Sequence, residues 1–415
     1  MTPPSIVFAG AVLVVVAAVI SFAVSGSETL RVVAFVVLAV VTVGVVVYLY
    51  QLLIRTRSIE QAGESAGGEA LRLGDEVSSG RVDDVVAALL RDAHALQRGV
   101  GRFADAAAGR LADGPGGGGG RSAEAVAGLL GRQRDHAAAV EGRLTERLEA
   151  LGQHRGRAAE GELLVSEWLY ERLLAHSVLT NARHAYGLAQ LTATSHAMLE
   201  RLAAIAGDEP TGQLAQETRR EAAAQAAAWG EAWDVVLDAF AGQTTNAGAD
   251  ATHALLDEAA GMEQMRARLL EVTLAQTRQA GLVAGAEDAG LQPLLAAIAR
   301  ERDLAGEHAR LLRERARELG RPTSRLHSWE TFAAARASAA SEHVRGYKLA
   351  RDLRDVIAAD HLEIATLDLL EHAARRASDT TTADLAARMR AQAAGTGPRC
   401  EGHLDSALEI ALLAE

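Results

Sequence analysis

Two histidines and three carboxylates crowd one stretch near the C-terminal end of the chain: His361, Glu363, Asp368, Glu371 and His372. His361, Asp368 and His372 are spaced to fall along one face of a helix, with Glu363 and Glu371 beside them. Imidazoles and carboxylates are the donors used by divalent metals and proton relays, so His361, Glu363, Asp368 and His372 form a candidate metal site. The competing reading is a helix face hydrogen-bonded to solvent or to a neighbouring helix. Cys400 and His403 offer a thiolate and an imidazole three residues apart, but two ligands do not make a zinc site. The glycine run ending in Gly120-Arg121-Ser122 imitates a phosphate-binding loop. It fails because Pro115 sits where the first glycine belongs, Arg121 replaces the lysine, and no buried strand precedes it. The run reads as a flexible linker. Nucleophile-elbow, zincin and dinucleotide patterns are absent from the sequence. Trp229, Trp233 and Phe240 form an aromatic stripe at helical spacing, read as core packing or, alternatively, as a partner-docking face.

The elements that position these groups read as helices almost throughout from Val82 onward. Apolar residues recur three and four apart, as in Val85, Leu89, Leu90 and in Leu294, Leu295, Ile298, and no alternating strand pattern is present. Gly and Pro mark the ends at Leu151-Gly152, Ala206-Gly207-Asp208-Glu209-Pro210 and Leu319-Gly320-Arg321-Pro322. With 4% aromatic residues, the cores must be built from Ala, Leu and Val, which favours closely packed bundles. A net charge of −12 without a dense basic patch argues against a nucleic-acid partner. Lys348 is the sole lysine beside many arginines, the composition expected of a GC-rich genome.

Residues 6–24 and 32–54 are two uncharged apolar runs. At about 1.5 Å rise per residue each can cross a hydrocarbon core of roughly 30 Å, so they predict a transmembrane hairpin over 1–57 contacting the lipid bilayer. Met1 to Ser5 lacks the positive segment of a cleavable signal. Arg55 and Arg57 follow the second run, and the positive-inside rule then predicts a two-pass inner (plasma) membrane protein with both termini cytoplasmic. One cysteine suits that reducing side.

The sequence also repeats itself. Arg132-Gln133-Arg134-Asp135 followed by Leu144 to Gly152 matches Arg300-Glu301-Arg302-Asp303 followed by Leu312 to Gly320 at one constant spacing. Ala206-Gly207-Asp208 with Thr211, Leu214, Ala215 and Arg219 matches Ala377-Ser378-Asp379 with Thr382, Leu385, Ala386 and Arg390 at nearly the same spacing. Leu90-Arg91-Asp92 with Gln97 answers Leu270-Glu271-Val272 with Gln276 at a larger one, attributed to the insertion 114–120. The expected architecture is therefore all-α: the hairpin, a juxtamembrane linker over 58–81, and tandem four-helix bundles over 82–242 and 262–415, joined through Gln243 to Asp250.

His308 to Arg315 running to Leu319-Gly320, and Asp360-His361-Leu362-Glu363-Ile364-Ala365 running to Ala377-Ser378-Asp379, resemble the second and third helices of the YciF-type ferritin-like family. The resemblance implies two tandem bundles, each with a di-metal centre built from one Glu on each of two helices and a Glu-x-x-His on each of the others. Placed on this chain, the first-helix Glu falls on Gln97 and Gln276, the second on His136 and Leu304, the third on Thr192 and Glu363, and the fourth on Glu221 and Gln392. Two carboxylates survive, in different bundles. Several carboxylates are needed to neutralise two metals in a low-dielectric core, so no ordinary di-iron centre is expected. The resulting expectation is a non-catalytic, membrane-anchored helical scaffold or adaptor, with no cofactor beyond a weak metal, whose partner is an unidentified protein or another copy. A metal-handling ferritin-like protein and a membrane signal transducer are the alternatives.

Overall fold

Along 126–148 the buried positions are Val126, Leu130, Gln133, Ala137, Val140, Leu144 and Leu148. Their three-and-four spacing draws a single stripe, and the opposite face carries exposed Arg132, Arg134 and Glu149. Residues 294–316 repeat that stripe position for position with Leu294, Ile298, Glu301, Ala305, His308, Leu312 and Ala316. Two of the replacements, Gln133 by Glu301 and Val140 by His308, bring charge into an otherwise apolar line.

The computed structural model describes residues 76–113, 120–153, 177–242, 247–283, 291–320, 348–395, 402, 403 and 408. The chain divides into Met1–Gly74 and Asp75–Glu415, and every described residue belongs to the second unit. That unit contains nine α-helices and no strand among the described residues: α1 (Glu76–Asp113), α2 (Arg121–Ala150), α3 (Val178–Ala206), α4 (Glu209–Gly230), α5 (Trp233–Ala241), α6 (Ala247–Val283), α7 (Leu291–Glu318), α8 (Lys348–Arg376) and α9 (Thr380–Ala394).

The all-helical expectation holds, whereas the transmembrane hairpin and the two-pass membrane placement are corrected. Among the described residues no helix is long and apolar enough to cross a membrane. The helices Arg121–Ala150 and Leu291–Glu318 carry an apolar stripe backed by charged residues, and Val178–Ala206 carries Arg183, Glu200 and Arg201 within its length. The runs 6–24 and 32–54, the arginines Arg55 and Arg57, and Cys400 lie outside the described residues.

Pairing of the helices follows the duplication. In the first half α1 packs on α2 and α3, and α3 on α4; in the second α6 packs on α7 and α8, and α8 on α9. The halves meet mainly where α3 runs against α8. Gly187 of α3 permits this approach, since a Cβ there would lie 3.0 Å from Cδ1 of Leu362 on α8. One apolar cluster joins Leu90, Leu144 and Leu199 to Leu270, Ile298 and Val356. A second joins Leu130, Leu179, Trp229 and Trp233 to Leu255, Leu370 and Met389. Polar bonds cross the same seam: Arg183 pairs with Glu258 at 3.1 Å, and Arg376 with Asp238 at 2.6 Å. The second half begins with α6 at Ala247, ahead of the expected Met262, because Ala251, Leu255, Leu256 and Ala259 are buried in the shared cluster.

The repeated residues build the same clasp twice. Asp208 caps α4 by accepting from Thr211 N (3.1 Å) and Thr211 Oγ1 (2.6 Å), while Arg147 from α2 donates to Asp208 (2.6 Å) and Thr211 Oγ1 (2.7 Å). Asp379, Thr382 and Arg315 reproduce every bond, at 3.0, 2.6, 2.8 and 2.8 Å. The preceding residue is left-handed in both copies, Gly207 at φ 69° and Ser378 at φ 59°. Only the glycine adopts that conformation without a Cβ penalty.

Candidate metal-type centre

In the second half the core-facing positions of α6, α7 and α8 carry ionisable groups where a bundle would ordinarily carry apolar ones. Glu263 and Arg266 stand one turn apart on α6, Glu301 and His308 two turns apart on α7, and Asp360 and Glu363 one turn apart on α8. All six are buried, and the Arg266 side chain is 0 % exposed. Its guanidinium makes contact with four carboxylates: Nε with Asp360 Oδ1 at 2.7 Å, Nη2 with Glu301 Oε2 at 2.7 Å, and Nη1 with Glu363 Oε2 at 2.6 Å and Glu263 Oε2 at 3.5 Å. On their other oxygens Glu263 and Glu363 face His308, whose Nδ1 lies 3.3 and 2.9 Å from their Oε1 atoms. His308 Nε2 donates to Oε1 of Gln392 on α9 at 3.0 Å. The two carboxylates thus bridge a guanidinium and an imidazole.

Burial and mutual charge set the protonation of this cluster. Burial pushes the Glu363 carboxyl up to about 8, and the Glu263 charge adds to the effect. Burial likewise pushes Asp360 up to about 6 against the pull of Arg266. Burial alone would lower His308, but hydrogen bonds to Glu263 and Glu363 override it and hold the imidazole up to about 10. The same balance keeps Arg266 above its ordinary value.

At the equivalent positions of the first half Gln97, Gln133, Val140, Ala189 and Thr192 stand for Arg266, Glu301, His308, Asp360 and Glu363, and His94, 3.7 Å from Glu141, stands for Glu263. Gln97 donates to Thr192 Oγ1 at 3.2 Å, as Arg266 meets Glu363 in the second half. Gln133, the counterpart of Glu301, donates to Ala185 O at 2.8 Å and accepts from Trp229 Nε1 at 3.0 Å. His196 donates through Nδ1 to Thr192 O at 2.8 Å, and complete burial lowers it to about 4. It is therefore neutral.

Of the residues singled out from sequence, Glu363 alone joins the one cluster of metal-type donors among the described residues, Glu263, His308 and Glu363. Asp368 and His372 lie together on another face of α8, 3.9 Å apart, where Asp368 accepts from Trp233 Nε1 at 3.1 Å and approaches Arg390 at 3.4 Å. His361 is half-buried. Trp229 and Trp233 are each 1% exposed within the chain's own core, and Phe240 is half-buried against it.

Among the expected ligand positions, Gln97, Thr192, Glu363 and Gln392 belong to the two centres, and Glu221 is exposed beside Arg143. His136 and Leu304 lie one position off the buried stripe, which runs through Ala137 and Ala305. The counterpart of Gln97 is Arg266 rather than Gln276, which is half-buried farther along α6. Glu263, Arg266, Glu301, His308 and Asp360 were not anticipated as one centre. The signal was present in helical spacing: Glu263 with Arg266, Glu301 with His308, and Asp360 with Glu363 each share a face.

No family model matches the chain, and no curated protein or solved structure matches it either.

Proposed function

We propose that the helical unit is a non-catalytic scaffold, two degenerate ferritin-like four-helix halves fused into one body, in which a buried arginine replaces metal chemistry. The observation that carries this reading is Arg266, whose fork makes three contacts of 2.6–2.7 Å with Asp360, Glu301 and Glu363. A guanidinium satisfies the carboxylates electrostatically but presents no open coordination position and exchanges no electrons. The first half carries Gln97, Gln133 and Thr192 at the matching places, which cannot offset the charge of a metal pair.

Elemental analysis of protein grown with and without added iron tests the proposal, together with an assay for oxidation of Fe(II). The expected result is no pair of bound irons in either half and no oxidation above the buffer rate. Two tightly held irons per chain, with turnover, would overturn it.

A further inference from the structure

The geometry points to one divalent-cation site at Glu263, His308 and Glu363, limited to a single ion because Arg266 holds the neighbouring position. This goes beyond the scaffold reading and stands or falls separately from it. Metal–oxygen and metal–imidazole bonds of about 2.1 Å place adjacent donors about 3.0 Å apart in an octahedron and about 3.4 Å apart in a tetrahedron. His308 Nδ1 lies 2.9 Å from Glu363 Oε1 and 3.3 Å from Glu263 Oε1, and donor atoms of the three residues fall within 4.8 Å of one another. These are hydrogen-bond distances, and a divalent ion would take the place of the His308 Nδ1 proton between the same three donors.

Two independent features support an ion here. The first is orientation: Gln392 Oε1 accepts from His308 Nε2 at 3.0 Å, fixing the ring with Nδ1 toward the carboxylates. A carbonyl partner on the far nitrogen is the usual support for a metal-binding imidazole. The second is composition: four buried carboxyl groups face one guanidinium and one imidazole, a set that becomes net negative once Glu363 gives up its proton to an incoming cation. Oε2 of Glu263 lies on the Arg266 side, 3.5 Å from Nη1, and makes no hydrogen bond there, so the charge of this fully buried carboxylate is under-compensated. A divalent ion between the Oε1 atoms would relieve that excess, and Arg266, already spanning the Oε2 side, excludes a second. One imidazole with two carboxylates suits a first-row transition ion such as Zn²⁺ or Mn²⁺ better than Ca²⁺ or Mg²⁺, which prefer all-oxygen shells.

The full-length chain, stripped with a chelator and re-equilibrated, is titrated separately with Zn²⁺ and Co²⁺, with bound metal counted after gel filtration. The expected result is one ion per chain and Co²⁺ bands without a thiolate charge-transfer band, displaced one for one by Zn²⁺. Gln392→Ala, at an exposed residue outside the buried core, is expected to weaken binding about 10–100-fold. His308→Gln is expected to abolish it. No saturable binding by the folded wild-type chain would overturn the inference and leave the scaffold reading intact. Two ions per chain would overturn the role given to Arg266, and unchanged affinity in Gln392→Ala would overturn the placement.

Discussion

Replacing Arg266 by Met keeps most of the side-chain length and removes the charge from the middle of four carboxylates. Two of its three short contacts, to Asp360 and Glu301, are charge-assisted hydrogen bonds worth about 1.5–3 kcal/mol each by typical measurements, and the third, to Glu363, is an ion pair. Their simple sum overstates the loss, because the freed carboxylates can take up protons, and Glu363 and Asp360 are already raised toward neutrality by burial. Removing one member of a buried ionic group typically costs about 3–5 kcal/mol, and we expect about 4 kcal/mol at about pH 8. At about pH 5 the carboxylates are protonated more readily, and the loss shrinks to about 2 kcal/mol. The internal control is Gln97→Met, which breaks one neutral hydrogen bond of 3.2 Å to Thr192 and should cost about 1 kcal/mol at either pH. Urea unfolding followed by circular dichroism at both pH values reads all four quantities. An Arg266 variant within about 1 kcal/mol of the wild type at the higher pH, or equally destabilised at both, would refute the ionic-core account.

The pH profile of the unaltered chain should carry the same signature. Glu363 and His308 have folded-state values raised to about 8 and about 10, above their ordinary 4.5 and 6.5. The stability they contribute is present at lower pH and is lost as pH rises through those values, so the unfolding midpoint should fall from neutral pH to about pH 10; a flat profile would count against the cluster. Asp208 and Asp379 have the opposite sign, being held below 3.8 by Arg147, Arg315 and the threonine donors against burial, so their contribution is lost in acid. Asp379→Ala and Asp208→Ala should each cost about 1–2 kcal/mol in unfolding experiments, alike in size because the two clasps are alike in geometry. Ser378→Gly should stabilise the chain by about 1 kcal/mol and Gly207→Ser should destabilise it by a similar amount, since both positions are left-handed; thermal melts showing the same sign for both would exclude this explanation.

The helical class and the duplication were legible because they rest on local rules. Three-and-four spacing, the Gly207 and Gly320 stops, and the repeated Arg, Asp and Thr of the clasps all act through neighbours in the chain or through a repeated register. The centre of the second half was less legible. Glu263 and Arg266 sit in a helix whose charges look in sequence like a solvated face, and only the packing of α7 and α8 against it shows which charges turn inward. Gln276 lies well past Arg266, the counterpart of Gln97, and Leu304 lies one residue off the buried stripe; neither offset is visible without the packing of α7 and α8. Of His361, Asp368 and His372, grouped by helical angle, Asp368 and His372 lie 3.9 Å apart. Helical angle does not reveal that α8 is covered on several sides, so that Glu363 faces the ionic core while Asp368 meets Trp233.

The meeting of α3 with α8 has a bearing on how the halves came to differ. These helices occupy the same place in the two copies, and contact between like elements is what an isologous dimer interface requires. In a dimer of identical chains every substitution appears twice, so a charged centre could be gained or lost only in both subunits together. Covalent linkage lifts that requirement. Each half can then hold its own residue at a shared position, Gln97 against Arg266, Val140 against His308, Thr192 against Glu363, while the seam between them continues to match. The asymmetry of the two centres is a freedom that a single continuous chain confers and a symmetric pair of chains lacks.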